Sequence, residues 1–226
     1  MELCAKGYHR RKPSYGHPKV IETAVKENLL DRLFSQDTIN AIWVTDMTTI
    51  TFTGGRLYLS TYIDLATRIP RCFKGAYSMK KFTLLDPLHH FKGSFPSIIH
   101  SDRVSQYHSF AFQNTLESDT ITHSLSEPKA PEDNAIIESF HRFIKRTWII
   151  PNKHKLMAEM KGLIHDYLSE YYPNKRIHTK FKMTPKQFEE NRFMSSNSLQ
   201  TNRLQVLKMR IIEQFIAQKA EYFCYI

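Results

Sequence analysis

The sequence has few cysteines and no metal-ligand spacing, and these absences exclude several classes of protein. Its three cysteines, Cys4, Cys72 and Cys224, are odd in number, far apart and without Cys-x-x-Cys spacing. They predict neither a disulfide framework nor a zinc site, and they favour a reducing, intracellular compartment. The 11 histidines likewise lack the His-x-x-x-His spacing that a metal site on a helix requires.

Long apolar runs are also missing. No run approaches the roughly 20 residues that a membrane-spanning helix needs. Residues 1–19 carry charge but lack the apolar segment of a secretory signal, and the chain shows no repeats or low-complexity segments. We therefore expect a soluble, cytoplasmic protein without a membrane partner.

Acidic residues are outnumbered by basic ones. The chain has 22 Asp plus Glu against 32 Lys plus Arg, a formal net charge of +10 and an isoelectric point near 9.5. This excess favours an anionic partner, with nucleic acid as the first candidate. The alternative is an ordinary basic protein, because net charge bears on solubility and non-specific binding rather than on fold. With 226 residues, 41% of them hydrophobic, the chain suffices for one large domain with appendages at its ends.

The first half of the chain predicts a mixed sheet. Residues 1–40 are basic and interrupted by proline and glycine, which is typical of an arm or connector. At AIWVTDMTTITF the residues alternate, so that Val44 and Asp46 share one face of a strand. Gly54 and Gly55 mark a hairpin turn, and RLYLSTYID and IPRCFKGAY complete an antiparallel meander.

Strands and helices then interleave. Pro87 limits the segment SMKKFTLLDPLHHFKG to a short or broken helix. PSIIH predicts a fourth strand, YHSFAFQNTLES a helix, TITHS a short fifth strand and LSEPKAPED a loop. This order predicts an α/β domain with a mixed five-stranded sheet flanked by helices.

The segment DNAIIESFHRFIKRTW predicts an amphipathic helix with Asp133 as its cap. On a helical wheel, an apolar stripe that could pack on the sheet lies opposite Glu138 and consists of Ile136, Phe140, Phe143 and Ile144. The face around Glu138 carries Asn134, His141, Arg142 and Lys145. The alternative is an ordinary solvated face with a Glu138 to Arg142 pair.

Three carboxylates stand where a metal site is possible. Asp46 lies in the first strand, Asp102 ends the fourth strand, and Glu138 lies on the later helix. If they converge, they could hold two Mg²⁺ or Mn²⁺ ions, because hard cations prefer carboxylate oxygen. Two such ions would activate a water or a 3′ hydroxyl for attack on a phosphodiester and stabilise the leaving oxygen.

Five ordered blocks resemble the catalytic core of bacterial insertion-sequence transposases of the DDE type, akin to the IS-three family and similar to retroviral integrase. The blocks are WVTDMT, YLSTYIDLATR, IIHSDRVSQYHS, DNAIIESFHRFIKRT and NKRIHTKFKMTPKQFEE. The resemblance covers roughly residues 40–190. It implies an RNase H-like fold, with an integrase-type catalytic core over residues 41–192 between an amino-terminal arm (1–40) and a helical tail (193–226).

The resemblance also implies an activity and its residues. DNA strand cleavage and strand transfer in transposition would use Asp46, Asp102 and Glu138 as the metal-binding triad. Further positions matched by motif would contact DNA: Asn134, Arg142, Lys145, Lys175 and Arg176, with His178 in the same basic block. The implied partners are the element ends and target DNA, bound by a homo-oligomer in the bacterial cytoplasm, in association with the nucleoid.

The sequence departs from the family pattern at Val104, where glycine is usual. A β-branched residue is strained there if the turn needs a positive φ. The helix-turn-helix region that such proteins place ahead of the core is also absent. A second interpretation is therefore a truncated or decayed copy that binds DNA without completing catalysis, and a third is a structural RNase H-like module with three coincidental acids. We expect Gln106 and Tyr107 to anchor the helix after Asp102.

Overall fold

The computed structural model describes residues 27–78 and 82–195. Most of the predicted arm, including Cys4, and most of the predicted tail, including Cys224, lie outside the described residues. Cys72 is buried and unpaired. Within the described ranges, no helix combines the length and apolarity needed to cross a membrane.

Five strands form one mixed sheet in the order β3-β2-β1-β4-β5. The strands β1, β2 and β3 are antiparallel neighbours, whereas β4 runs parallel to β1 and β5 runs parallel to β4. The turn between β1 and β2 uses Gly55 at φ 133°, a value that residues with a Cβ rarely adopt. The predicted meander and the mixed five-stranded sheet are thus confirmed. The strands are β1 (Ile42–Phe52), β2 (Gly55–Asp64), β3 (Pro70–Ala76), β4 (Ile98–Ser101) and β5 (Thr122–Leu125).

Four main helices flank the sheet. Pro87 lies inside the first, which has only nine residues, as the proline predicted. The third helix runs on into a π-helical turn, and the fourth continues through a second such turn to Asn174. Residues 185–195 form a further helix. The four are α1 (Phe82–His90), α2 (Phe110–Ser118), α3 (Ala135–Ile144) and α4 (Met157–Asp166).

The apolar residues form two clusters, one on each face of the sheet. Successive residues of β1 point to opposite faces, so Trp43 packs against residues of α1 and α2, such as Leu84 and Phe112. Val44 packs on the other face with α3 and α4. Because Asp46 has the same parity as Val44, β1 directs it to the α3 side of the sheet.

The buried face of α3 differs from the predicted stripe. Phe140 and Ile144 are buried as predicted, but Ile136 and Phe143 are only partly buried. Ile137, which the prediction left out, is 0% exposed. The buried residues of α3, which also include His141, lie on one face of the helix. The face that contacts the sheet is therefore rotated toward His141 relative to the predicted stripe. The wheel located the apolar residues correctly but not the direction from which the sheet approaches.

The predicted cap of α3 is also wrong. Asn134, not Asp133, occupies the cap position, and its side chain makes no capping hydrogen bond. A 3₁₀ turn over Pro131–Asn134 precedes the helix. The Asp133 carboxylate is buried and instead accepts hydrogen bonds from Arg32 Nε at 2.7 Å, Asn28 Nδ2 at 2.8 Å and the Glu127 backbone N–H at 2.9 Å. Asp133 thus makes long-range contacts instead of capping the helix, and no local sequence pattern predicts such contacts.

Candidate active site

Asp46 and Asp102 come from neighbouring parallel strands. Thr45 of β1 pairs with Ser101 of β4. Asp46 and Asp102 are the residues that directly follow this pair. Adjacent strands lie about 4.8 Å apart. The sheet therefore brings these two carboxylates to the same level, with Asp102 just beyond the carboxyl end of β4.

Glu138, in the first turn of α3, belongs to the same electrostatic cluster. Burial raises the pKa of Asp102 to about 6, and the negative charges of Asp46 and Glu138 contribute to the rise. The backbone N–H of Val104 donates to Asp102 Oδ1 at 3.2 Å and works in the opposite direction. Asp46 and Glu138 thus both lie close enough to Asp102 for their charges to act on its carboxylate.

His141 holds one side of this cluster. Its Nδ1 lies 3.2 Å from Asp46 Oδ2, and its Nε2 lies 3.3 Å from Thr61 Oγ1 on β2. The other carboxylate oxygen of Asp46 accepts from the Met47 backbone N–H at 2.6 Å. The sequence placed His141 on the Glu138 face of the helix but gave it no role. The only signal in the sequence for such a role was the position of His141 three residues after Glu138, on the same face of the helix.

Two of the predicted DNA contacts lie beside the cluster. Asn134 is buried, and its Nδ2 donates to the carbonyl of Thr45 at 3.4 Å, while its Oδ1 has no partner. Lys145 is half-buried, and burial lowers its pKa while the charge of Asp46 opposes the shift. Both residues therefore approach the segment of β1 that carries Asp46.

The other predicted DNA contacts lie elsewhere. Arg142 is exposed, and within the described ranges no ion pair joins it to Glu138, so the alternative of a simple surface pair is not what the structure has. Lys175 is exposed in the loop after the last turn of the α4 region. Arg176 lies with its guanidinium 3.8 Å from the centre of the Phe143 ring, on a different side of α3 from Glu138.

The turn after Asp102 accommodates Val104 without backbone strain. Val104 is absent from the residues with positive φ in the part of the chain that is described, and its side chain is partly exposed. Tyr107 is buried, with its hydroxyl 3.2 Å from Thr45 Oγ1 and its ring 5.2 Å from that of Phe112 in α2. The expectation that Gln106 and Tyr107 anchor the following helix is confirmed for Tyr107, whereas the Gln106 side chain accepts a hydrogen bond from Ser105 Oγ, which lies before that helix. The departure from glycine at Val104 is therefore structurally tolerated.

The chemistry of the cluster suits a hard divalent cation. Its donors are carboxylate oxygens, and burial together with repulsion from Asp46 and Glu138 raises the pKa of Asp102. Among residues 27–78 and 82–195, no three His, Cys, Asp or Glu side chains already stand in a coordinating arrangement. The fit therefore rests on donor type and on uncompensated negative charge rather than on a preformed ligand geometry.

Comparisons with known proteins first identify the class. The integrase core domain family matches residues 37–131, and a second integrase core domain family matches residues 119–185. The HTLV-2 integrase catalytic core domain in complex with magnesium (trimeric form) superposes with a TM-score of 0.54 at 17% identity, over 66% of this chain and 95% of that one. The simian T-cell lymphotropic virus intasome in complex with the PP2A regulatory subunit B56 gamma gives a TM-score of 0.56 at 18% identity, over 68% and 55% of the two chains. Fold and matched domain define a DDE polynucleotidyl transferase with an RNase H-like core.

Curated relatives then identify the family. The transposase for insertion sequence element IS904 of Lactococcus lactis subsp. lactis is 32% identical over 202 residues, which cover 84% of this chain and 76% of the relative. The putative transposase InsK for insertion sequence element IS150 of Escherichia coli is 30% identical over 74% of this chain and 60% of the relative. The transposase InsF for IS3fB of the same organism is 30% identical over 73% and 59%. The chain belongs to the bacterial insertion-sequence transposases and carries their catalytic core.

Proposed function

We propose that Asp46, Asp102 and Glu138 are the catalytic triad with which this chain cleaves DNA strands and transfers them during transposition. The observation that carries the proposal is the placement of Asp46 and Asp102 at the same level of neighbouring parallel strands, with Glu138 of α3 near enough that the charges of Asp46 and Glu138 repel the Asp102 carboxylate. Repulsion of this kind destabilises a protein unless a cation relieves it. The HTLV-2 integrase catalytic core domain, to which this chain is similar in fold, is a complex with magnesium, which supports the choice of Mg²⁺ or Mn²⁺.

The side chains around the triad have separable roles. Two Mg²⁺ or Mn²⁺ ions, when bound by the triad, would supply the activation of the attacking oxygen and the stabilisation of the leaving oxygen. His141 orients the Asp46 carboxylate from the side opposite to Met47 N–H. Lys145, whose pKa the charge of Asp46 affects, contacts the phosphate of the strand that is cut. Asn134 positions the backbone of β1 next to Asp46 through its hydrogen bond to Thr45.

The remaining DNA contacts extend the bound surface. Arg142, exposed on α3, and Lys175 would contact phosphates away from the reacting bond, and Arg176 would do so from the far side of α3. The substrates would be the element ends and target DNA, held by a homo-oligomer in the nucleoid of the bacterial cytoplasm. In this proposal, residues 41–192 form the core, and residues 1–40 and 193–226 are its arm and tail.

A nicking and strand-transfer assay on labelled oligonucleotides that carry candidate element ends tests the triad. We expect products with Mg²⁺ or Mn²⁺ and none with EDTA. Asp46→Asn, Asp102→Asn and Glu138→Gln should each lower the rate by on the order of 10³-fold or more, because each removes a metal ligand. Glu170→Gln, an exposed glutamate in the α4 region, is the matched control and should retain the full rate. Metal-dependent products that persist in Glu138→Gln would refute the assignment.

Val104→Gly separates an active enzyme from a decayed copy. Since Val104 does not occupy a backbone conformation that requires glycine, the substitution should change the strand-transfer rate by less than about threefold. The same oligonucleotide assay measures the effect. If the natural chain bound DNA without reacting and Val104→Gly restored the reaction, the decayed copy would be the better interpretation.

A further inference from the structure

A basic pocket of about 270 Å³ lies on the other side of α3 from Glu138. From α3 it is lined by Phe140 and Phe143, which the helical wheel places opposite Glu138. Its remaining wall includes Arg68, from the turn between β2 and β3, and the segment after the last turn of the α4 region. The pocket is therefore separate from the carboxylate cluster.

Cations dominate this pocket. Arg68, Arg176 and Lys180 all line it, and within the described ranges none of them has a carboxylate within 4 Å. The nearby acids are already engaged, because Asp64 pairs with Arg71 at 3.1 Å and Asp37 pairs with Arg192 at 2.8 Å. The pocket thus combines three positive charges with no direct counter-charge.

Several buried polar atoms in its wall have no hydrogen-bond partner. Arg68 is 5% exposed, and its Nη2 donates to the carbonyl of Phe34 at 2.9 Å, but its Nη1 is unpaired. Arg176 Nε and His178 Nδ1 are buried and unpaired as well. Buried donors are nearly always paired, so the two guanidinium N–H groups without an acceptor, Arg68 Nη1 and Arg176 Nε, indicate a missing acceptor in this pocket.

The field inside the pocket is strongly positive. Burial lowers the pKa of His178 to about 4, and Arg176, Arg68 and Lys180 lower it further. Burial and the charge of Arg68 also lower the pKa of Lys180, although Asp37 opposes the shift. His178 is consequently neutral at pH 7, and the pocket favours an anion over any further cation.

Aromatic rings hold Arg176 in place. Its guanidinium lies 3.8 Å from the centre of the Phe143 ring and 5.1 Å from that of Tyr172. Stacking occupies the faces of the guanidinium, and its Nε, which lies in the guanidinium plane, has no acceptor. A planar fork of this kind suits bidentate contact with phosphate oxygens.

We propose that this pocket, formed by Arg68, Arg176, His178 and Lys180, binds one phosphate group of a DNA strand away from the carboxylate triad. It accommodates a single phosphate with part of its sugar, and a duplex does not fit inside it. The pocket deepens the proposed function, in which Arg176 is already a phosphate contact, by adding Arg68, His178 and Lys180, and it does not depend on strand cleavage. Arg68 belongs to a segment that none of the predicted DNA contacts included.

The test is DNA binding by the full chain in EDTA, so that no metal at the triad contributes. Fluorescence anisotropy of a single-stranded oligonucleotide reports affinity, and inorganic phosphate is the competitor. Arg176→Gln and Lys180→Gln should each weaken DNA binding about tenfold, the loss expected of a charge-assisted hydrogen bond. Inorganic phosphate should compete with DNA in the natural chain and lose most of that effect in both variants.

Two controls keep the result interpretable. Lys92→Gln removes an exposed charge from the loop before β4 and should change affinity less than about twofold. Because Lys180 is exposed, its replacement should leave the circular dichroism spectrum unchanged. Because the assay in EDTA measures binding alone and does not require strand cleavage, failure of the catalytic proposal and failure of the pocket are distinguishable.

Three outcomes would overturn the proposal. Equal losses of DNA affinity in Lys92→Gln and in the two pocket variants would mean that affinity depends only on net charge. Phosphate binding that depends on Arg176 and Lys180 while DNA affinity does not would assign the pocket to a free phosphate. Displacement by an acidic peptide but not by inorganic phosphate would assign it to a protein partner.

Discussion

Asp102 occupies an unfavourable position when no metal is bound. Burial and two neighbouring carboxylates raise its pKa from 3.8 to about 6. Because the folded pKa lies above the unfolded one, this group favours the folded state only when it is protonated, and that advantage is lost as the pH rises through about 6. At pH 7 the ionised carboxylate is therefore a net cost to stability.

Asp102→Asn removes that cost. In EDTA at pH 7, we expect the variant's free energy of unfolding to rise by on the order of 1 kcal/mol, a value reduced for partial exposure. At pH 3.5, where both forms are uncharged, the gain should disappear. Urea denaturation at the two pH values measures it. An equal effect at both would show that electrostatic repulsion is not its source.

In the proposed mechanism, His141 acts on the reaction through Asp46, whose carboxylate it contacts. Replacing His141 by Phe removes the contacts to Asp46 Oδ2 and Thr61 Oγ1. We expect both Mn²⁺ affinity and the cleavage rate to fall about 10- to 100-fold, as is typical when a partner that orients a metal ligand is lost. Calorimetry with Mn²⁺ gives the affinity independently of the reaction.

The conservative variant separates orientation from packing. Gln at position 141 keeps a donor near Asp46 and should recover part of the loss, whereas His154→Gln, at an exposed histidine, should have no effect. A His141→Phe protein with unchanged Mn²⁺ affinity would remove His141 from the site.

At the scale of elements, α3 presents a different face to each of three parts of the molecule. One face packs on the sheet through Ile137 and Ile144, a second presents Glu138 to the aspartates, and a third, with Phe143, lines the basic pocket. Successive residues of an α-helix are rotated by about 100° around its axis, so a helix of ten residues can present all three faces. A shift of its start would displace the triad and the pocket together.

Asp133 fixes that start. Burial works to raise its pKa, but hydrogen bonds from Arg32 and from the Glu127 backbone N–H lower it below the ordinary value. The folded state therefore prefers the ionised form, and this stabilisation is lost as the pH falls below about 4. Hydrogen bonds from Asn28 and Arg32 to the Asp133 carboxylate tie the described end of the connector to the turn before α3.

Asp133→Ala should accordingly destabilise the fold by about 2 kcal/mol at pH 7, because three donors lose their shared acceptor. Glu132→Ala is its matched neighbour. The Glu132 side chain is mostly exposed and lies 3.8 Å from Arg32, so its loss should cost less than about 0.5 kcal/mol. Urea unfolding measures both variants, and equal destabilisation would mean that Asp133 is no special anchor.

At the scale of the whole molecule, the net charge of +10 predicts DNA binding that weakens steeply with salt. Each phosphate contact contributes about 0.9 to the slope of log affinity against log salt for duplex DNA. Arg142→Gln and Lys145→Gln should therefore each reduce the slope by about 1. Titrations of a duplex between about 50 and 200 mM salt measure it. A slope unchanged in both variants would place the phosphates elsewhere.

The local pattern of the chain determined the elements and the positions of the acids. Alternation in β1, the hairpin glycines and the apolar runs at β4 and β5 each depend on neighbours a few residues apart, so the five strands were predictable. So was the placement of Asp46, Asp102 and Glu138 on separate elements. The ordered motif blocks added the family, because a series of motifs is more specific than any one of them.

Only the tertiary structure decided which surfaces meet. The sheet contacts α3 on the side of Ile137 and His141, and Asp133 binds Arg32 rather than capping the helix. Arg68 and Arg176 line the same basic pocket. These contacts join residues far apart in sequence. Such pairings arise from packing and strand register, which depend on the whole fold, whereas helix and strand periodicity depends only on near neighbours.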